Sequence, residues 1–244
     1  MWSNNDTTED ITNLSFGTYT YTITDSLGCQ FSDTATINQP TPIDVIPQTT
    51  DVSCANGNNG TALLNINGGT PPYTENWGTS NPLSLTAGSH TYIVNDDNGC
   101  NYTGSINIAE PAPIVVSYIT TNALCNGVND GTAILNISGG VSPYNEDWGT
   151  NNPLALSAGT HVFIITDTNG CVLTDSVLIT QPNQISVVVD TFRVSCYGGT
   201  DGSAILNISG GVGPPYNISW GVLHPDSLPA GSHIITVTDS NNCL

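Results

Sequence analysis

Apolar and polar residues alternate in short stretches along most of this chain. In the segment TALLNIN, Ala62, Leu64 and Ile66 fall on one face, and TAILNIS and SAILNIS repeat the alternation farther along. Alternation with a period of two is typical of a β-strand that buries one face. Apolar residues never recur with a sustained helical period, so the pattern predicts strands throughout.

Other alternating stretches accompany this strand in a fixed order. YTENW comes next, then HTYIVND, and then NYTGSINIAEP, which ends at Pro111 because proline lacks a backbone donor. Asn-Gly and Asp-Gly pairs such as Asn59-Gly60 lie between strands and tolerate the positive φ of tight turns. Six or seven short strands with such turns indicate a small immunoglobulin-like β-sandwich.

The whole unit recurs with a period of about 71 residues. Cys54, Cys125 and Cys196 keep this step. The period predicts four stretches: the C-terminal part of a repeat at 1–42, complete repeats at 43–113 and 114–184, and the N-terminal part of a repeat at 185–244. We interpret both ends of the chain as cuts through repeats. The predicted fold is an all-β tandem array of small sandwiches stapled by disulfides.

Each unit carries one tryptophan, at Trp2, Trp77, Trp148 or Trp220. In YTENW the tryptophan alternates in phase with a tyrosine, which predicts that it anchors the core. A sugar-binding tryptophan at the surface is the alternative. Glu75 shares this phase, and we expect it at the water-exposed edge of the sheet because burial of an unpaired carboxylate is costly.

Seven cysteines, with two in each complete unit, suggest an oxidising environment outside the cytoplasm. Two regular pairings are open. One lies within units, as Cys54–Cys100, Cys125–Cys171 and Cys196–Cys243, and leaves Cys29 alone because its repeat is cut. The other crosses the proline linkers, as Cys29–Cys54, Cys100–Cys125 and Cys171–Cys196. We favour the first, since four crossings of the sandwich would bring both cysteines of a unit to one pole.

Charge narrows the choice of partners. The chain has 20 acidic residues, one basic residue, Arg193, and a net charge of −19. Nucleic acids and anionic lipids require clustered Lys and Arg, so both are excluded as partners. No apolar run reaches the length of about 18 residues that a membrane span needs, so no membrane insertion is expected.

No catalytic motif stands out, so we predict that the protein is not an enzyme. His90, His161 and His233 occupy one repeat position, with Tyr19 at the same place in the first unit, and this recurrence predicts a structural role. Aspartates near the turns are weak candidates for calcium, which takes carboxylate oxygens; they are Asp96, Asp130, Asp167, Asp201 and Asp239. No other cofactor is expected.

The order of these motifs resembles the SprB repeat. A cysteine before an Asn-Gly or Asp-Gly turn is followed by GG.PPY, a tryptophan, AG.H or AG.Y, D.NGC and finally I.QP. SprB repeats occur in very large surface proteins of Bacteroidetes. The resemblance covers the whole chain and implies a cell-surface protein, with type IX secretion and gliding motility as expectations.

We therefore expect a stalk or filament segment of a large secreted adhesin, with the neighbouring repeats as its first partners. Extracellular polysaccharide or the substratum is a further partner of the adhesin. One alternative is a carbohydrate-binding array, which requires aromatic residues exposed on one face. Another is a fibre of laterally packed repeats, because Leu63, Ile134 and Ile205 point away from the predicted core.

Overall fold

The computed structural model describes residues 1–244 as an all-β chain in two compact units, 1–110 and 111–244. The first unit holds β1 (Gly17–Thr24), β2 (Gln30–Ile37), β3 (Asp44–Thr50), β4 (Thr61–Asn67), β5 (Thr74–Asn76), β6 (Gly88–Asn95) and β7 (Asn101–Ile108). The second holds β8 (Val115–Thr121), β9 (Thr132–Ser138), β10 (Asn145–Asp147), β11 (Gly159–Thr166), β12 (Val172–Ile179), β13 (Asn183–Phe192), β14 (Ser203–Gly211), β15 (Asn217–Ser219) and β16 (Thr236–Thr238). None of the chain forms a helix with the length and apolarity to cross a membrane. The predicted all-β class is confirmed.

Strands β3 to β7 form one small sandwich. Strands β3 and β4 pair antiparallel in one sheet, and β5, β6 and β7 form the other in that order. The alternating residues meet between the sheets, because each strand turns its apolar face inward. The buried core comprises Val45, Val52, Ala62, Leu64, Trp77, Leu85, Tyr92, Val94, Ile106 and Ile108.

Strands β8 to β12 repeat this arrangement. Strands β8 and β9 form the two-stranded sheet, and β10, β11 and β12 form the three-stranded sheet. A second core lies between these sheets and consists of Ala133, Trp148, Leu156, Phe163, Ile165, Val177 and Ile179. Each of the two cores falls within one of the predicted complete repeats.

Each complete repeat has five strands, whereas the sequence predicted six or seven. The third crossing is irregular: after the three residues of β5, the chain passes without a regular strand to Leu85, which bridges Gly60. An odd number of crossings puts the start and the end of a repeat at opposite ends of the sandwich. We call the end where the first strand begins the upper pole and the end where the last strand finishes the lower pole.

Residues 1–42 and 185–244, on either side of the two complete repeats, contain some of the same strand pairs. Strands β1 and β2 pair antiparallel near Trp2, whose ring centre lies 5.1 Å from that of Tyr21. Strands β13 and β14 form one two-stranded sheet, and β15 and β16 another. Trp2 and Trp220 are half-buried, whereas Trp77 and Trp148 are buried in the cores of the complete repeats.

Candidate functional site: the two poles and the joint between repeats

A buried aspartate organises the upper pole. Asp167 is 5% exposed, and its Oδ1 accepts hydrogen bonds from the backbone N–H groups of Asn169 and Cys171, at 2.9 Å each. Its Oδ2 accepts a third from the N–H of Val141 at 2.9 Å. One carboxylate thus ties the turn that carries the second cysteine to the loop after β9. Asp96 and Asp239 make the corresponding three bonds in their repeats.

The Gly-Gly pair makes this approach possible. Gly139 has φ of +72°, and a Cβ there would lie 1.9 Å from the carbonyl oxygen of Pro113. Gly140 has φ of +56°, and its Cβ would come within 2.8 Å of Asp167 Oδ2. Tyr144 closes the loop by donating its hydroxyl to the carbonyl of Gly139. Only glycine fits the backbone here, which explains the repeated Gly-Gly before the proline and tyrosine.

The surroundings of Asp167 and Asp239 favour the ionised carboxylate. Burial raises the pKa of Asp167, but the N–H groups of Val141, Cys171, Asn169 and Gly170 outweigh it and hold the pKa below its usual value of 3.8. The N–H of Val212 lowers the pKa of Asp239 in the same way, against burial. Hydrogen bonds to the charged form stabilise it.

The calcium candidates do not gather in one place. Asp96, Asp167 and Asp239 lie in upper-pole turns, whereas Asp130 and Asp201 accept N–H groups from Leu124 and Ser195 in loops of the lower pole. Both the hydroxyl and the N–H of Ser195 lower the pKa of Asp201. The chain brings together no group of three or more acidic, His or Cys side chains that could hold a metal ion. Calcium binding stays a prediction, and backbone N–H groups occupy the oxygens it would use.

The loop that carries the first cysteine closes the lower pole. The N–H of Ala123 donates to the carbonyl of Thr180 at the end of the last strand, at 3.0 Å. The N–H of Thr180 in turn donates to Oδ1 of Asn122, also at 3.0 Å. Ala123 is buried by this contact. The loop is therefore pinned to the last strand of its own repeat.

A disulfide joins the lower pole of one repeat to the upper pole of the next. Cys125 is bonded to Cys243, with 5.5 Å between their Cα atoms and a sequence separation of 118. The side-chain amide of Asn241 donates to the carbonyl of Leu124 at 3.1 Å. Cys243 Sγ lies 3.4 Å from the same oxygen. The turn with the second cysteine therefore docks on the loop with the first cysteine through one covalent and two polar contacts.

This joint corrects the predicted disulfides. The pairs Cys125–Cys171 and Cys196–Cys243 are wrong because Cys125 bonds Cys243, and Cys54–Cys100 is wrong because Cys100 is free. The alternative pairing across the linkers is wrong as well, since it needs Cys100 bonded to Cys125. Cys54 and Cys171 are disulfide-bonded, whereas Cys29, Cys100 and Cys196 are free and exposed.

The error has a simple geometric cause. Between Cys54 and Cys100 the chain crosses the sandwich along β4, back through β5 and the irregular stretch, and forward along β6. Three crossings place the two cysteines of a repeat at opposite poles. The expectation of four crossings counted one strand too many.

The tryptophans of the complete repeats pack on aromatic neighbours. The ring centres of Trp77 and Tyr92 are 5.1 Å apart, as are those of Trp148 and Phe163. Exposed Glu75 accepts a 2.9 Å hydrogen bond from the indole N–H of Trp77. The glutamate in phase with the tryptophan thus lies in water and still satisfies the buried indole.

The histidine position closes a loop within each unit. The Nε2 atom of His161 lies 2.8 Å from the carbonyl oxygen of Ser157, and His90 and His233 make the same contact four residues back. The hydroxyl of Tyr19 donates to the carbonyl of Ser15 in the same way, at 3.0 Å. Histidine and tyrosine therefore do one structural task at this position.

These features define a tandem-repeat protein, made of small all-β sandwiches that disulfides connect. A family model named SprB repeat matches the chain at residues 46–79, 117–152 and 191–221. The chain thus carries SprB repeats, and the resemblance seen in the sequence is confirmed. A comparison with curated proteins finds no match. The SprB repeat is a structural repeat rather than an enzyme family and is associated with cell-surface, adhesin-like proteins.

Proposed function

We propose that this chain is a segment of the stalk of a large secreted cell-surface adhesin, in which the repeats space an adhesive region from the cell. The geometry of the complete repeat carries this proposal. Each repeat starts at its upper pole and finishes at its lower pole, so the next can continue onward. The bond between Cys125 and Cys243 adds a second covalent link, beside the backbone, between consecutive repeats.

The surface of the chain suits such a role. With no lysine and one arginine, the chain offers almost no cleavage site to trypsin-like proteases. A net charge of −19 discourages association between neighbouring stalks. Disulfides persist in oxidising, extracellular surroundings. Type IX secretion and a part in surface adhesion or gliding motility belong to this proposal and rest on the SprB resemblance.

A laterally packed fibre is a second candidate, and one observation favours it. Leu63, Ile134 and Ile205 occupy the same position in three repeats and are 60%, 57% and 55% exposed. A row of apolar side chains at a fixed spacing could pair with the same row of another chain. The fibre would still be a structural assembly outside the cell.

A carbohydrate-binding array finds less support. It requires aromatic side chains that recur exposed on one face, yet Trp77 and Trp148 are buried. The strongly exposed Tyr197 has Ala55 and Asn126 at the same position of the other repeats. No aromatic platform therefore recurs along the chain.

Removal of whole repeats from the native protein tests the stalk. Deletion of residues 114–184 keeps the phase of the repeat, so a spacer should lose reach in electron micrographs while cells still adhere at short range. The native protein should show single strings, whereas bundles would favour the fibre. The isolated chain should bind no sugar on a glycan array, and specific binding there would overturn the spacer in favour of the carbohydrate array.

A further inference from the structure

We propose that the disulfide between Cys125 and Cys243 carries tension past most of the two joined repeats, so that a pull along the chain does not reach the strands between these cysteines. The bond closes a loop with a sequence separation of 118. All strands from β9 to β16 lie inside this loop. The inference stands on the joint alone and holds whether or not the chain is a stalk, but it would give the proposed stalk a fixed length.

The path that tension takes outside the loop consists mainly of one strand. From Ala112 to Cys125 the chain runs along β8, from the upper pole of its repeat to the lower pole. A β-strand already rises about 3.3 Å per residue, close to the limit of about 3.3–3.6 Å for a fully extended chain. Tension along β8 therefore finds little length to release before it reaches the covalent bond.

The fold holds both ends of the bond in place. On one side, the loop that carries Cys125 is pinned to the last strand of its own repeat by the N–H of Ala123. On the other side, Asp239 accepts the N–H of Cys243 at 3.0 Å and that of Val212 at 2.9 Å, which ties the turn to the loop after β14. Tension therefore passes between two fixed points of the fold.

The bypassed loop also contains the only Lys or Arg residue of the chain. Arg193 is exposed and directly follows β13. A trypsin-like protease that cuts after Arg193 breaks the backbone inside the loop but leaves the route through the disulfide intact. The fragments 1–193 and 194–244 therefore stay joined, and the cut chain still carries tension.

Cleavage with trypsin is the first test. The full chain is denatured without reductant, its free thiols are blocked, and it is cut after Arg193. On non-reducing gels the parent should migrate as one covalent species and separate into two fragments only after reduction. The double variant C125S and C243S should separate without reduction. Separation of the parent fragments in the absence of reductant would overturn the proposal.

Single-molecule pulling on the full chain tests the path of the tension itself. One handle is attached at exposed Ala112 and the other at Leu244. The double variant C125S and C243S should lengthen by about 400 Å more than the parent, which is the extended length of the bypassed loop. The parent should show no large unfolding step. Equal lengthening of the two chains would overturn the proposal.

A second handle position provides the control. When the handle at Leu244 is moved to exposed Asn183, the direct route from Ala112 and the route through the bond have nearly the same length, 71 and 73 residues. Tension must then unfold the first of the two repeats, and parent and double variant should both lengthen by about 200 Å. A parent that stays unextended here would owe its resistance to the sandwich itself, and the bypass would be wrong.

Discussion

At the upper pole of repeat 114–184 one carboxylate collects three backbone N–H groups, whereas at the lower pole an amide and a backbone carbonyl hold the loop and a disulfide secures it. Asp167 works through charge and glycine geometry. Asn122 and Thr180 work through neutral hydrogen bonds, and Cys125 adds the covalent bond. The upper pole should therefore respond to pH and to backbone substitutions, and the lower pole to reductants.

Removal of the joint disulfide should have the largest effect. The double variant C125S and C243S releases a closed loop of 118 residues, and the loop-entropy relation gives a loss of about 5 kcal/mol in the free energy of unfolding of the two joined repeats. Chemical denaturation under non-reducing conditions measures it. The C29S variant, at a free exposed cysteine, is the control and should be neutral. A loss below about 1 kcal/mol would mean that polar contacts alone hold the joint.

Substitution of Gly139 by alanine should destabilise the upper pole without changing the charge of the protein. The new Cβ would lie 1.9 Å from the Pro113 carbonyl oxygen at a positive φ, so the linker and the loop must separate. We expect a loss of about 3 kcal/mol or more, since steric overlap adds to the strain of the left-handed backbone. Thermal and chemical unfolding report it.

Gly149→Ala is the matched control. Its φ of +62° is similar, but a Cβ there meets nothing within 4 Å, so only the backbone strain of about 1 kcal/mol should appear. Equal losses for the two variants would show that the close approach of the linker contributes nothing.

Acid should weaken the upper pole through Asp167 and Asp239, and it should weaken the lower-pole loop of residues 195–201 through Asp201, whose pKa is also lowered. The pKa values of Asp167 and Asp239 lie below 3.8 in the folded protein, so their contribution is complete above that pH and disappears as the pH falls through the folded values. The unfolding temperature should therefore drop as the pH falls below about 4. D167N should lower the unfolding temperature at pH 7 and flatten this acid-induced drop.

Exposed Asp175 provides the control for D167N, because it accepts only the N–H of the next residue, Ser176. D175N should keep both the unfolding temperature at pH 7 and the acid-induced drop. An acid transition of D167N identical to that of the parent chain would place the titrating groups elsewhere.

Part of this comparison could be predicted from the sequence. The alternation in TALLNIN and the fixed step between Cys54 and Cys125 revealed the strands and the period, because both are local or repeated signals. Asp167 also stood out in the sequence, because Asp96 and Asp239 occupy the same position in other repeats. Its role did not, since the N–H of Val141 reaches it across 26 residues, a contact that only the folded loop creates.

The disulfide pairing could not be predicted from the sequence for a related reason. Their pairing depends on how many times the chain crosses the sandwich, and one crossing contains only the three residues of β5 before it becomes irregular. The sequence does not show that this whole stretch makes a single crossing, and the expectation of four crossings counted one too many. That single error moved the second cysteine of each repeat to the wrong pole. The pairing over 118 residues then followed from neither spacing nor composition.

The smallest expected effect concerns the amide that holds the lower pole. Asn122→Ala removes the acceptor of the Thr180 N–H, a single neutral hydrogen bond at an exposed site. It should reduce the free energy of unfolding by about 1 kcal/mol, and by the same amount at pH 7 and pH 3, because an amide does not titrate in this range. Asn129→Ala, in the same loop, is the control and should be neutral. In repeat 43–113 the position is Asp51, which accepts the N–H of Ala109 at 2.8 Å, so Asp51→Asn should preserve that bond. A pH-dependent loss in the Asn122 variant would mean that the charge of the upper pole reaches the lower one, and the two poles could no longer be treated as separate closures.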